Sequence, residues 1–266
     1  MKALLAPCLV LALLLVPYTS LNAADEGGLS DKEKTEFSKQ MLLPSPAEIF
    51  VAFSKLGKAD WNKAASYCPR YDYDTNQLRA LNLGSRAADA FLAIQAKDKD
   101  RLAEMITVII TLAEELMVEQ TILEKGRAFE DLARRDQWQT LHQELDTLRD
   151  AVVEEMKRLG DRDMALLVSA GGWLQGLRAS ATVLVDRYEP EASSVLYQPR
   201  LVDFFFKELR GMSPETQRSP AVRKLLAALP QIRALVDVGY KNPVPRQNIV
   251  QLRGIAEELV QTFEKG

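Results

Sequence analysis

The chain has a single histidine, His142, and two cysteines, Cys8 and Cys68. That scarcity removes most side-chain chemistry at once. A zinc site needs Cys or His ligands at short spacing, and a ferritin-like di-metal site needs two Glu-x-x-His pairs. The sequence contains neither pattern, nor a Cys-x-x-Cys-His for covalent haem. Serine catalysis needs a base held beside its nucleophile, often at a Gly-x-Ser-x-Gly turn. No such turn exists, and the one imidazole follows Leu141 in a regular helical pattern, four residues before Asp146. His142 is read as a partly exposed helix-surface residue. The expectation is therefore no metal and no cofactor.

Other groups could still bind. Asp72-Tyr73-Asp74-Thr75-Asn76 has the alternation that opens a calcium loop, but Gln77 replaces the turn glycine and Leu83 stands where a bidentate glutamate belongs. Asp74 as a helix N-cap explains the same residues. Adjacent carboxylates at Glu114-Glu115, Glu154-Glu155 and Glu257-Glu258 do not face one another on a helix, so they read as solvated faces. Tyr67-Cys68-Pro69-Arg70-Tyr71-Asp72-Tyr73 gathers tyrosines, a thiol and an arginine in one loop. Tyr67, Cys68, Arg70, Tyr71 and Tyr73 form either a recognition surface or a loop pinned on the helices by buried rings. Phe204, Phe205 and Phe206 span about 200° of a helix, more than one face can bury. They are a second candidate interaction patch.

A third group is polar. Asn82, Arg86 and Asp89 line one helical stretch that also holds Gly84. Gln175 and Arg178 interrupt a second, which holds Gly171, Gly172 and Gly176. Each interior glycine costs a helix about 1 kcal/mol against alanine, so close backbone packing between the two stretches is expected to offset it. The five polar residues would then meet. They would form either a satisfied internal network or a pocket in which Arg86 or Arg178 grips a small polar ligand such as a carboxylate.

Apolar spacing of three and four residues recurs along the whole chain and period-two alternation is nearly absent, which predicts an all-α fold. Ser30-Asp-Lys-Glu33 and Ser45-Pro-Ala-Glu48 are capping boxes for two short helices, the second ending at Gly57. Trp61 to Tyr67 adds another turn or two. Four long helices follow: Thr75 to Ala96; one carrying Leu102, Met105, Ile109, Leu112, Leu116 and Leu123; one along the seam Trp138 to Leu159; and one from Asp161 to about Tyr188. At roughly 22–28 residues each they would be about 33–42 Å long. The links between the first and second and between the third and fourth are only a few residues, which makes those neighbours antiparallel, and Phe129 and Leu132 form a short helix in the remaining connection; the economical arrangement is an antiparallel up-down bundle of four long helices. Three C-terminal helices complete it: Arg200 to Arg210; Val222 to Val236 continuing through Pro230; and one from Ile249 to Phe263. The domain scheme is 1–24 leader, 25–73 short helices and Tyr-rich loop, 74–190 bundle, and 191–266 C-terminal helices packed on it.

Residues 1–24 have the order of a secretory signal peptide: a basic start, an apolar run from Leu4 to Val16, and small residues at Ala23-Ala24. Cys8 precedes the bulk of that run and is no lipoprotein cysteine. Cleavage leaves Cys68 as the sole thiol, which rules out an internal disulfide. There is no Asn-x-Ser/Thr sequon, and both absences favour a bacterial periplasmic or secreted protein. Met164 to Val185 is apolar, but Gln175 and Arg178 make it a poor membrane span. Net charge is −3 with both signs interspersed, which gives no footprint for nucleic acid. The expected role is binding, with an unknown protein partner in an interaction or scaffold role. A small polar-ligand binder is the alternative, and an enzyme working with Arg, Asp/Glu and Tyr alone ranks third.

Overall fold

A computed structural model describes residues 56, 59–118, 128–240 and 242–266; the leader and both early capping boxes lie outside them. The described residues are helical, with no strand among them. The first helix, α1 (Trp61–Ala64), is a single turn whose N-cap Asp60 accepts from the Lys63 amide. Beyond it the chain is irregular until Thr75, so the helix predicted to reach Tyr67 stops after Ala64. We call the stretch from Ala64, the last residue of α1, to Tyr73 the strap.

The next helix, α2 (Asn76–Ala96), is capped by Thr75, whose hydroxyl accepts from the Leu78 amide. Thr75 rather than the expected Asp74 does this because its backbone is extended and already in position for the first turn. Lys97, left-handed at φ 56°, ends α2, and Asp98 caps α3 (Lys99–Glu115). At 17 residues α3 is shorter than the pattern predicts. Met117 turns left-handed at φ 63° directly after it, and Leu123 lies outside the described residues. Then come α4 (Ala128–Arg134) and α5 (Trp138–Arg158). Gly160 supplies the positive φ for the reversal into α6 (Arg162–Asp186), capped by Asp161.

The C-terminal part holds more than three helices. A short turn α7 (Pro190–Ser193) leads into α8 (Pro199–Arg210). The Ser/Pro/Gly-rich link contains α9 (Pro214–Arg218), capped by Ser213. A single helix, α10 (Pro220–Val236), continues through Pro230 as expected, and α11 (Arg246–Lys265) closes the chain.

The axis of the molecule is the pair α2 and α6. Gly84 and Gly171 permit it: an added Cβ would lie 1.9 Å from the Val168 carbonyl oxygen at Gly84, and 2.0 Å from that of Leu81 at Gly171. Gly172 is next closest, at 3.2 Å from the Gly84 oxygen, whereas Gly176 faces open space and has no part in the contact. The Ser85 hydroxyl, donating to the Gly171 carbonyl at 3.2 Å, bridges the pair. Pairing advances in the same sense on both helices, Leu81 with Gly171 and Asp89 with Gln175. The two therefore run in the same direction, which departs from strict up-down alternation. The reason is the connection between α3 and α5. It is no short turn but residues 116–137, which include α4 packed on both helices, enough chain to return before α5 begins.

Buried residues surround α6 on most of its circumference, as its neighbours α1, α2, α5, α8 and α11 require. Two contacts fix the direction of α11 against it: Arg246 reaches the Val185 carbonyl, and Glu257 pairs with Arg178. The last helix thus runs antiparallel to α6 and ends beside Arg86 of α2. No helix among the described residues is long and apolar enough to cross a membrane.

Candidate functional site

Asn82, Arg86 and Asp89 recur at three- and four-residue intervals on α2, Gln175 and Arg178 three apart on α6. Close approach at Gly84 and Gly171 brings these lines together. Four of the five join in one chain of contacts. Arg86 Nε lies 3.2 Å from Asp89 Oδ2 as an ion pair. Gln175 Nε2 donates to Asp89 Oδ1, and Arg178 Nε donates to Gln175 Oε1 at 2.9 Å. Arg86, Asp89 and Gln175 are fully shielded from solvent and Arg178 nearly so. Asn82 stands one turn away; its amide donates to the Phe263 carbonyl of α11 at 2.8 Å.

Two buried arginines against one aspartate would be a costly surplus of charge. The missing anions come from α11. Arg86 donates to Glu264 Oε1 at 2.7 Å, and Arg178 to Glu257 Oε2 at 2.7 Å. Glu257, expected on a solvated face, is thus a network member, while Glu258 pairs outward with Lys224. The sequence does signal this: Glu257 and Glu264 are seven apart, so both fall on one side of α11, flanking the buried Leu259, Val260 and Phe263.

The remaining valences hold the strap by its main chain. Asp89 accepts from the Ser66 amide at 3.0 Å and the Tyr67 amide at 3.2 Å. Arg86 donates to the Cys68 carbonyl at 3.0 Å and Arg178 to the Ala64 carbonyl at 3.2 Å. Ser66 Oγ donates to Glu264. Every nitrogen of the Arg178 guanidinium, both terminal nitrogens of Arg86 and both Asp89 oxygens are therefore hydrogen-bonded within the protein, while Arg86 Nε makes only its ion-pair contact with Asp89. Burial pushes the Asp89 carboxyl up from its ordinary range, opposed by Arg86, the Ser66 amide, Arg178 and Gln175. Burial also works against the charge on Arg86, but Asp89 and Glu264 outweigh it and raise its pKa.

The Tyr-rich segment divides in two. Tyr67 and Tyr73 are buried, and burial lifts both phenols well above their ordinary pKa. Tyr67 sits at φ 51°, its hydroxyl donating to Asn62 at 2.8 Å. Cys68 is half-buried and unbridged. Arg70 donates to the Lys265 carbonyl at 2.6 Å and the Glu264 carbonyl at 3.2 Å, satisfying the open end of α11, and stacks 4.8 Å over the Tyr73 ring. Tyr71, 52% exposed, points away from all this.

On α8, Phe205 is fully buried against Trp173 of α6, while Phe204 and Phe206 are half-buried and Arg210 covers the Phe206 ring. His142 is half-buried, its ring set edge-on to Phe91 at 5.6 Å and its Nδ1 3.6 Å from Asp146. Among the described residues no three His, Cys, Asp or Glu side chains converge to hold a metal ion. Comparison with protein-family models, curated proteins and solved structures finds no match for the chain.

Proposed function

We propose that this is an exported protein, relieved of residues 1–24, that acts by binding a protein partner in a periplasmic interaction or scaffold role. The observation that carries this reading is the presentation of Tyr71. It is the exposed tyrosine of a loop held by buried rings on both sides, at Tyr67 and Tyr73, and by a clamp between Arg70 and the end of α11. An exposed tyrosine on a pre-ordered loop offers large contact area without the ordering cost that a mobile loop incurs on binding. The alternative, a small polar ligand gripped by Arg86 or Arg178, finds less support. Both guanidiniums already satisfy carbonyls and carboxylates of this chain.

The test places a benzophenone amino acid at position 71 of the full chain and irradiates cells. A protein adduct that is absent when the same group replaces Tyr240, which is also highly exposed, supports the reading. Equal or absent adducts at both positions, with a small molecule found in the purified protein by native mass spectrometry, would overturn it in favour of the ligand binder.

A further inference from the structure

Tyr73 is 1% exposed, and its buried hydroxyl has no hydrogen-bond partner of good geometry. Leaving such a group unmatched costs a fold stability. The side chain it is directed at is Cys68. Burial first, and then the Cys68 thiol as a charge and a hydrogen-bonding neighbour, pushes the phenol's pKa up. A thiol is a weak acceptor, so this contact leaves the hydroxyl largely unspent. Arg86, fully buried, reaches the same residue: one terminal nitrogen donates to the Cys68 carbonyl at 3.0 Å. Burial works against the Arg86 charge, while Asp89, Glu264 and the Cys68 thiol support it. Glu264 also lies near the Tyr73 hydroxyl, but its carboxylate accepts from Arg86 and Ser66. The thiol is half-buried, so a small reagent reaches it. Tyr67, left-handed at φ 51°, and Pro69 fix the chain on either side.

From this we infer that Cys68 is a modification site, oxidised by hydrogen peroxide to a sulfenic acid whose new oxygen accepts the Tyr73 hydroxyl beside the Arg86 charge. The sulfur attacks one peroxide oxygen. The S–O bond forms as the O–O bond breaks, and the departing oxygen leaves as water, carrying the thiol's proton. Sulfur loses two electrons and the peroxide gains them. The Tyr73 hydroxyl donates to oxygen during this step and stays bonded to the product, an acceptor far better than the thiol. No second cysteine among the described residues consumes the acid as an internal disulfide. The inference concerns Cys68 and does not depend on the partner of Tyr71.

The test treats the full chain with hydrogen peroxide and dimedone, which adds to sulfenic acids, and follows the Cys68 peptide by mass spectrometry. The folded protein is compared with the same chain in urea. The adduct should form on Cys68 about tenfold faster in the folded protein, the worth of one hydrogen bond to a developing charge. Y73F removes only the hydroxyl and keeps the ring beneath Arg70, and it should lower the folded rate to that of the unfolded chain. Circular dichroism checks that Y73F is folded; were it not, the parent's folded-to-unfolded ratio decides alone. A folded rate at or below the unfolded one reports a thiol that is merely sheltered and would overturn the inference. So would a folded Y73F as fast as the parent, or oxidation past the sulfenic acid with no adduct.

Discussion

Replacing Asp89 by asparagine would leave Arg86 without its fully buried anion while keeping the shape of the side chain. Breaking one partner out of a buried ion pair costs about 3–5 kcal/mol, far more than the net worth of an exposed pair. D89N should therefore lower the urea midpoint sharply, whereas loss of the exposed Asp203–Arg233 pair in D203N should change stability by about 1 kcal/mol or less. Asp146 behaves in the opposite way. Burial pushes its carboxyl from 3.8 to about 6, and Oδ1 is buried without a hydrogen-bond partner. The fold thus holds a proton there more tightly than the unfolded chain does. Ionisation penalises the fold fully above about pH 6, and the penalty fades as pH falls toward 4. D146N should be the more stable protein at pH 8, by about 1–2 kcal/mol, because the half-solvated site softens the full shift. That advantage should vanish near pH 4. Burial lowers the pKa of His142, so its protonation opposes this trend as pH falls. All five polar residues proposed from the sequence lie at the contact of α2, α6 and α11. Glu257 and Glu264 escaped because their seven-residue spacing places them on one side of α11 but does not reveal that arginines on distant helices will reach them.

At the level of elements, the glycines distinguish contact from tolerance. G171A and G84A would each drive a methyl to about 2 Å from a backbone oxygen, so the helices must separate. G176A meets open space and should gain the helix propensity of alanine, about 0.8–1 kcal/mol. Thermal melts should place G84A and G171A well below the parent and G176A above it; equal melting points for the three would refute the contact. The sequence made α5, α10 and α11 legible because an apolar stripe at helical spacing survives any tertiary setting, and α6, apolar on most of its circumference, through its length and its Asp161 start. Where α3 ends was not legible. Apolar spacing continues to Leu123, and only a left-handed Met117, an unfavoured residue there, marks the reversal. Phe129 and Leu132 do mark a short helix in that connection, which α4 matches, but not the direction the chain takes through it. Periodicity reports which face of a helix is buried, not which way the chain travels afterwards.

For the whole molecule, the charged network is a clasp: it joins α2, α6 and α11 to the strap, and Tyr71, the residue proposed to bind a partner, stands outside it. Y71A should accordingly leave the melting temperature within about 2 °C of the parent, as surface substitutions usually do, while abolishing the photo-adduct's partner in co-purification. Y73A should lose both, because Tyr73 is 1% exposed and packed beneath Arg70. The claim on which everything else rests is that Asp89, Arg86 and Arg178 are committed to the strap. Amide hydrogen exchange tests it residue by residue. Although they lie in an irregular segment, the Ser66 and Tyr67 amides should exchange as slowly as the core of α2, and far more slowly than the amide of exposed Asp72. If Ser66 and Tyr67 exchange as fast as Asp72, the strap is not held. Arg86 and Arg178 are then open to a ligand, and the account fails.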